Sequence, residues 1–411
     1  MKVAVIGAGA VGMATALQLL HEGHAVTVYD ERAPGTACSY GNSGGIGIGL
    51  VAPIAMPGIG RQVPRLLLDR DEPLFIDPRH PLRKLPWFWR FWRSSRRAEV
   101  DRISAVRASL NRAVMETLTP LLERADAQDL IVHRGMLFVF EGATPSDGAQ
   151  MRFAIGRRHE IEARALTRAE LHDINPDLAA DLNCAVLIPG NRHCLDPGAL
   201  VGRFAAAFAA GGGTLRRESV RHIVPGDNLA VETATGRAPY ERIVVAAGAW
   251  SRPFATALGV KVLLESERGY HLMLPSAGLR IGVPTTLADR NVVMTPMAGG
   301  LRITGIAEFA EPDAPPRWER ADNLLVQARR YFPAIDGTGA RRWVGPRPST
   351  PDSLPVIGPA PGHPGIIFAF GHGQSGLAHA SVTARLVADY LARRSPLIAI
   401  QPFAPDRFGR A

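Results

Sequence analysis

Cysteine is scarce in this chain. The three thiols, Cys38, Cys184 and Cys194, are too few for a disulfide framework. No ligand-spaced Cys/His cluster accompanies them, so no metal is expected. Buried or idle thiols are the expectation, with a Cys184–Cys194 pair as the alternative. Lysine is rarer still for its class, occurring only at Lys2, Lys84 and Lys261. The +9 formal charge is therefore carried by arginine, spread along the chain apart from one cluster at 90–97. No RNA- or DNA-binding motif goes with that charge. It reads as a solvated arginine surface, and nucleic acid is not expected as a partner. Long apolar runs are also missing. The longest uncharged stretch, 34–60, is broken by Gly41, Gly44, Gly45, Gly47, Gly49, Pro53, Pro57 and Gly58. It reads as a buried glycine-rich loop and not as a membrane span. No apolar signal core follows Met1-Lys2, which favours a cytoplasmic address. Internal repeats, low-complexity tails and long disordered linkers are not found.

What remains is a globular composition. The 411 residues are 46% apolar, enough for one large or two ordinary domains. Val3–Ile6 and Ala25–Tyr29 read as strands flanking a helix over Ala14–Leu20, which Gly23 stops. Residues 80–125 look mainly helical. Met136–Phe140 and Ala185–Pro189 read as strands, and Arg168–Ile174 and Pro197–Ala210 as helices. Strands are expected within Thr214–Thr233, and the apolar run Ile243–Ala247 fits a central, fully buried strand. From Val260 to Phe309 the pattern turns to alternating short strands, at Tyr270–Leu274, Val292–Thr295 and Leu301–Ile306, as in an antiparallel layer. A helix at Ala321–Tyr331 follows. The chain then returns to a strand, Ile366–Phe370, and a helix, Gly376–Arg393. This return predicts two interleaved domains, each assembled from separated segments.

The first turn carries chemistry. Gly7-Ala8-Gly9-Ala10-Val11-Gly12 lies between a strand and a helix, and the acidic pair Asp30-Glu31 follows at roughly 20 residues. Gly7 permits the turn, Gly9 lets backbone approach a pyrophosphate, and Gly12 allows close packing of helix on strand. The helix N-terminus offers free N–H groups and a positive dipole end to phosphate. Asp30 can hold a ribose hydroxyl and would repel a 2′-phosphate, which argues against NADP. The motif alone does not separate NAD from FAD. Gly371-His372-Gly373-Gln374-Ser375-Gly376 reads as a second backbone cradle at a helix N-terminus, suited to the negative charge of a reduced flavin. Two such turns converging on one long cofactor favour FAD.

Four segments then resemble the FAD-dependent D-amino-acid oxidase/dehydrogenase family, most nearly its bacterial D-amino-acid dehydrogenase small-subunit branch, over essentially the whole length. They are the first glycine turn with Asp30, the loop Ser39-Tyr40-Gly41-Asn42-Ser43-Gly44-Gly45-Ile46, the run from Trp343 through Arg347 to Asp352 and on to Gly358, and the last glycine turn. Ser43 stands where the family usually has alanine. The resemblance implies an α/β (α+β overall) fold, with a Rossmann-type FAD-binding domain interleaved with a β-rich antiparallel substrate domain. The FAD-binding domain is placed at 1–80, 190–255 and 341–411, and the substrate domain at 81–189 and 256–340. It also implies oxidation of a Cα–N bond of D-amino acids or proline-like imino acids by hydride transfer to flavin N5, giving an imino acid and then a keto acid and ammonia. No cysteine lies near the last glycine turn, so non-covalent FAD is expected.

Arg347 matches the family's carboxylate-binding arginine, and its bidentate fork suits that task. Tyr270, Arg302 and His372 are further substrate-side candidates. Tyr270 is equally readable as an ordinary sheet aromatic, and surface exposure is favoured for Arg302. Cofactor contacts are expected from residues 7–12, Asp30, Glu31, Ser39, Asn42, Ser43, Gly44, Gly45, Val220, Ala247, Gly248 and the turn Gly371–Gly376. Electrons then pass to quinone or oxygen. Three of the six tryptophans, Trp87, Trp89 and Trp92, stand among arginines in residues 86–97. Wound as a helix, Trp87, Phe88, Phe91 and Trp92 share one face and Arg90, Arg93 and Arg97 the other. Packing against the FAD domain is the first expectation for this face. Peripheral attachment to the inner face of the cytoplasmic membrane is the second. Two other functions stay open: a glycine/sarcosine-type oxidase using oxygen, and a flavin-bearing non-catalytic subunit.

Overall fold

The computed structural model describes residues 1–47, 49–60, 74–76 and 81–409. The expected domain boundary near 80 lies outside the described residues.

The apolar strand Lys2–Ile6 forms the middle of a six-stranded sheet. Its neighbours are Ala25–Tyr29 on one side and Arg242–Val245 on the other, and the order runs Thr214–Arg216, Ala25–Tyr29, Lys2–Ile6, Arg242–Val245, His363–Phe370, Val356–Ala360. All pairs are parallel except the last. Val3, Val5, Val244 and Ile367 are buried among the helices of one face, while Ala4, Ile6, Ile243 and Phe368 face a second cluster. Burial on both faces explains why these strands read as continuous apolar runs. Helices Ala10–His21, Pro197–Ala210 and Gly376–Leu391 cover the first face. A small antiparallel meander, His222–Val224, Ala230–Thr233 and Gly236–Pro239, contributes Val231 to the second cluster.

The second body is a nine-stranded mixed sheet. One end of it is antiparallel, with Glu265–Leu274 lying between Arg341–Ser349 and Gly300–Phe309. Tyr270, Leu272 and Leu274 point to one face, where Leu324, Ala328 and Tyr331 of helix Trp318–Tyr331 close a core. Alternation turns Glu267 and His271 to the opposite face, toward the six-stranded body. His271 lies 3.4 Å from the Gly41 carbonyl and stacks on Trp343.

Two segments sit across the expected domain division. Helix Arg97–Arg124 sends Ile103, Leu110, Val114, Leu118 and Leu121 into the core of the six-stranded body. Their helical spacing is the reason: one stripe must be buried, and helix Gly376–Leu391 supplies the surface. Strand Arg341–Ser349 pairs along the whole edge of Glu265–Leu274 and so belongs to the large sheet. Helix Asp147–Arg158 has no counterpart in the sequence reading. It buries only Ile155 and Gly156, too weak a stripe to read as a periodicity. The glycine-rich loop is only partly buried: Ile46, Val51 and Ala55 are inaccessible, whereas Tyr40, Leu50 and Ile54 are exposed. Arg107 staples it by donating to the Leu50 and Val51 carbonyls at 3.0 and 3.1 Å and to Ser353 O at 3.0 Å.

Candidate functional site

A cavity of about 560 Å³ opens at the carboxyl ends of the parallel strands. That is where open α/β sheets place their ligands, at the reversal of strand order. Its walls come from the chain's far-separated parts: Gly7, Gly9, Ala10 and Val11; Asp30 and Glu31; Ser39 and Asn42; Val220; Ala247 and Gly248; His372, Gly373 and Gly376. Most of the residues expected to hold the cofactor thus share one cavity. Ala8, Gly12, Ser43, Gly44, Gly45, Gly371, Gln374 and Ser375 do not line it, and the last three line a small neighbouring cavity.

The glycines differ in what demands them. Gly7 has φ +111°, and a Cβ there would lie 2.4 Å from the Ala246 carbonyl oxygen. A Cβ on Gly12 would meet the Gly7 carbonyl oxygen at 1.9 Å, so close packing of helix on strand requires it. Gly9 is not crowded by the protein, its nearest neighbour being Ser39 Oγ at 3.4 Å. The bare backbone at Gly9 faces the cavity. The helix that follows has no side-chain cap, and neither has Gly376–Leu391 at the other end of the cavity. Two helix N-termini therefore point at one chamber, the first with Ala10 N already taken by Ser39 Oγ, and their positive dipole ends suit a pyrophosphate and an anionic ring. These residues fit FAD.

Asp30 accepts from Ala8 N at 2.7 Å and from Arg32 N at 2.8 Å, so each of its oxygens already has a backbone partner. Glu31, beside it in the wall, is more open and pairs with Arg32 only at 3.6 Å. Ser39 Oγ accepts from Ala10 N at 2.9 Å. Asn42 accepts from Gly44 N at 2.8 Å and reaches the Gln374 carbonyl at 3.4 Å, which ties the loop to the last glycine turn. Gly44 packs under the Cys194 carbonyl, and Gly45 pairs with strand Arg192–Cys194.

The four substrate-side candidates separate. Arg347 stands beside the cavity, next to the wall residue Pro348, and is mostly buried. Its Nη1 donates to Glu267 at 3.0 Å and to the Ile306 carbonyl at 2.9 Å, and Nη2 reaches the Gly305 carbonyl at 3.5 Å. Gly269 makes room for it: a Cβ there would lie 2.1 Å from Arg347 Nη2. Tyr270 is fully buried on the other face of the sheet. Its hydroxyl donates to Glu308 and accepts from Arg317 N at 3.1 Å, and burial with this carboxylate pushes the phenol up to about 12. Arg302 is not on the surface. It is 3% exposed and donates through Nη1 to the Tyr40 and Asn42 carbonyls, holding the Ser39–Ile46 loop from beneath. His372 contributes to the wall, but its ring turns inward to Thr383 Oγ1 at 2.8 Å, and burial lowers it to about 3.

Two residues of the site were not anticipated. Cys38 lies in the wall, and burial pushes its thiol up to about 11, so it is a neutral group at neutral pH. Glu267, 4% exposed, accepts from Arg347, from Ser349 Oγ at 2.7 Å and from Gln374 Nε2 at 3.2 Å. No spacing marks it in the sequence; only the antiparallel register that sets Glu267 opposite Arg347 does so.

The aromatic helix Pro81–Ser94 also differs from its expected arrangement. Trp87 is buried, donates to the Ser349 carbonyl at 3.0 Å and packs with Phe88 and Phe91 near Phe309. Trp89 and Trp92 stack on each other at 5.1 Å and are exposed, with Leu85 beside them. The single apolar face expected from Trp87, Phe88, Phe91 and Trp92 is thus split, because Phe309 claims its first half. Among the described residues no helix is long and apolar enough to cross a membrane.

Comparison with known proteins agrees with this geometry. Residues 2–390 match the DAO family, described as FAD dependent oxidoreductase. The chain is 36% identical to a D-amino-acid oxidase of Bradyrhizobium diazoefficiens, covering 99% of this chain and 98% of that one. It is 34% identical to D-amino acid dehydrogenase 2 of Ralstonia nicotianae, over 99% and 100%. Among solved structures, glycine oxidase from Geobacillus kaustophilus superposes with a TM-score of 0.75 at 22% identity, covering 99% of each chain. An L-proline dehydrogenase from P. horikoshii gives 0.74 at 19%, covering 99% of this chain and 97% of that one. At these identities the structural likeness speaks for the fold alone.

Proposed function

The chain belongs to the DAO family of FAD-dependent oxidoreductases, and on that premise we propose that it oxidises the Cα–N bond of D-amino acids to imino acids that hydrolyse to keto acids and ammonia, or that of proline-like imino acids to a product that remains cyclic. The observation that carries this reading is Arg347. A guanidinium on a rigid strand, between Pro346 and Pro348, stands beside a cavity whose two ends suit one flavin dinucleotide. Bound FAD supplies the hydride acceptor for the substrate Cα–H. The protein's part is orientation. Arg347 grips the substrate carboxylate through parallel N–H donors, and Gly269 leaves it the space to do so. Arg302 fixes the loop that brings Ser39 and Asn42 into the wall. Glu31, with its carboxylate less engaged than that of Asp30, is the better placed ribose partner. The six-stranded body is the cofactor domain and the large sheet the substrate domain.

The test is anaerobic absorbance of the purified protein against a panel of D-amino acids, L-amino acids, glycine, sarcosine and proline. Flavin bands bleached by D-amino acids are expected. Bleaching by glycine or sarcosine alone points to the amine-oxidase alternative, and flavin that no amine bleaches points to a non-catalytic subunit. For the electron acceptor, the exposed pair Trp89–Trp92 beside Arg93, Arg96 and Arg97 supports contact with an anionic membrane and delivery to quinone. Co-sedimentation with anionic vesicles at low salt, lost in Trp89→Ala/Trp92→Ala, is the expected result. A protein that stays in the supernatant leaves oxygen as the acceptor.

A further inference from the structure

Arg347 has a buried anion against it, although a carboxylate clamp needs an open cation. The paired charges sit directly opposite on adjacent strands, Glu267 facing Arg347, with N···O at 3.0 Å. An arginine that only had to be neutralised would leave its acid dependent on it. Glu267 is not dependent. Ser349 Oγ at 2.7 Å and Gln374 Nε2 at 3.2 Å hold the carboxylate from the Arg347 strand and from the last glycine turn. Both donors are neutral and remain in place when the arginine turns to another anion. A carboxylate has about four acceptor positions. Arg347, Gln374 and Ser349 take three, which leaves one, and a second opens when Arg347 moves.

We propose that Glu267 is the second half of a zwitterion receptor, taking the substrate's α-ammonium while Arg347 takes its carboxylate. This rests on the reading of the site as one for amino acids. In the free protein the two side chains satisfy each other. A zwitterion carries the complementary charges on adjacent carbons, so it exchanges one internal ion pair for two intermolecular ones and leaves no buried charge unpaired. A ligand with a carboxylate and no amine gains the arginine but strands the acid. The site therefore discriminates amino acids from 2-hydroxy acids of the same shape, by the rule that a built polar site rejects analogues lacking its partner group. The neutral thiol of Cys38 adds no competing charge to this end of the chamber.

The experiment compares Glu267→Gln with the unaltered protein, both flavin-loaded. The ligands are the D-amino acid that bleaches the wild type fastest and the D-2-hydroxy acid bearing the same side chain, used as competitive inhibitor. We expect KM for the amino acid to rise at least about tenfold, with the hydroxy acid's inhibition constant unchanged within about threefold or tightened. Equal weakening of both ligands, or no change in either, overturns the proposal. Should Glu267→Gln fail to hold flavin, Ser349→Ala and Glu267→Asp loosen the carboxylate without removing it, and the same selective loss is expected of them. A wild type that holds flavin but is bleached by no amino acid defeats the catalytic reading separately. Titrating D-alanine and D-lactate against its flavin spectrum then still decides Glu267: preference for the amino acid, lost in the variant, upholds it, and equal binding overturns it.

Discussion

The large sheet carries two buried Arg/Glu groupings, one on each face, and they serve different ends. On the face toward the cavity, Glu267 and Arg347 meet at 3.0 Å, and Arg347 is the more open of the two, at 18% against 5%. On the opposite face Glu308 meets Arg268 at 3.8 Å and Arg317 at 3.5 Å, and takes the Tyr270 hydroxyl. Arg268 and Glu308 are each 2% exposed there, and the Phe75 ring lies 4.0 Å below the Arg317 guanidinium. The two groupings have similar charges but unlike surroundings. The first stands behind wall residues of the cavity, Pro348 and Cys38 among them, with its arginine still partly open. In the second, the Arg268–Glu308 pair is closed in, and only Arg317, 39% exposed, reaches solvent. Composition alone does not distinguish them; the parity of a β-strand does.

Substitutions sharpen this contrast. The largest effect on stability is expected from Glu308→Ala, which leaves Arg268 unpaired in the interior. A loss of about 3–5 kcal/mol in urea unfolding is predicted, with the folded fraction still bleached by substrate at a normal rate. Arg347→Leu should do the reverse. Its unfolding midpoint falls less than that of Glu308→Ala, because Ser349 and Gln374 still hold Glu267, flavin stays bound, and bleaching slows at least about a hundredfold, since truncating one member of a functional charge pair costs roughly 2–5 kcal/mol. Unchanged bleaching in that variant would remove the clamp from the mechanism. Acid comes next. Burial, with the Arg302 charge behind it, lowers His271 to about 3, and burial does the same to His372. Both are neutral in the folded state, while their ordinary value is 6.5. Below pH 6.5 the unfolded chain binds more protons than the folded one, so stability falls as pH falls. On the order of 2 kcal/mol per group is lost by pH 5. Urea titrations at pH 7 and 5 read this loss, and His271→Phe should remove part of it. Tyr270→Phe is expected to be the mildest: about 1 kcal/mol of stability and turnover within a factor of two. A collapse of turnover there would bring Tyr270 back as a substrate contact.

Local pattern carried much of the fold. Strand Ala25–Tyr29, strand Met136–Phe140 and helix Pro197–Ala210 stand where their periodicities end. Local pattern also carried the first glycine turn, where Gly12 answers a contact with Gly7 inside the turn, although what crowds Gly7 is the distant Ala246 backbone. What pattern could not carry was partnership. Arg302 reads as a surface residue because nothing nearby in the chain needs it; its partners, Tyr40 and Asn42, are 260 residues and more away. Tyr270 and Glu267 stand three residues apart and go to opposite faces, across a register shift between Arg268 and Tyr270. Trp87 and Trp92 read as one apolar face until Phe309 arrives against the first. Glu267 had no motif at all. In each case the deciding term is a contact between distant strands, set by register and by which face is already filled.

The strand order of the six-stranded sheet has a consequence for how the protein is made. Lys2–Ile6 can pair with Ala25–Tyr29 soon after both are made but waits for Arg242–Val245 on its other side, and that strand waits for His363–Phe370. The two glycine turns at the ends of the proposed flavin chamber, Gly7–Gly12 and Gly371–Gly376, are thus far apart in synthesis. The first glycine turn emerges early and remains half a pocket until the turn at Gly371–Gly376 has cleared the exit tunnel. Flavin capture is therefore a late event in the life of the chain, and nascent chains halted before that turn are expected to carry no yellow colour, however well their first βαβ unit has formed.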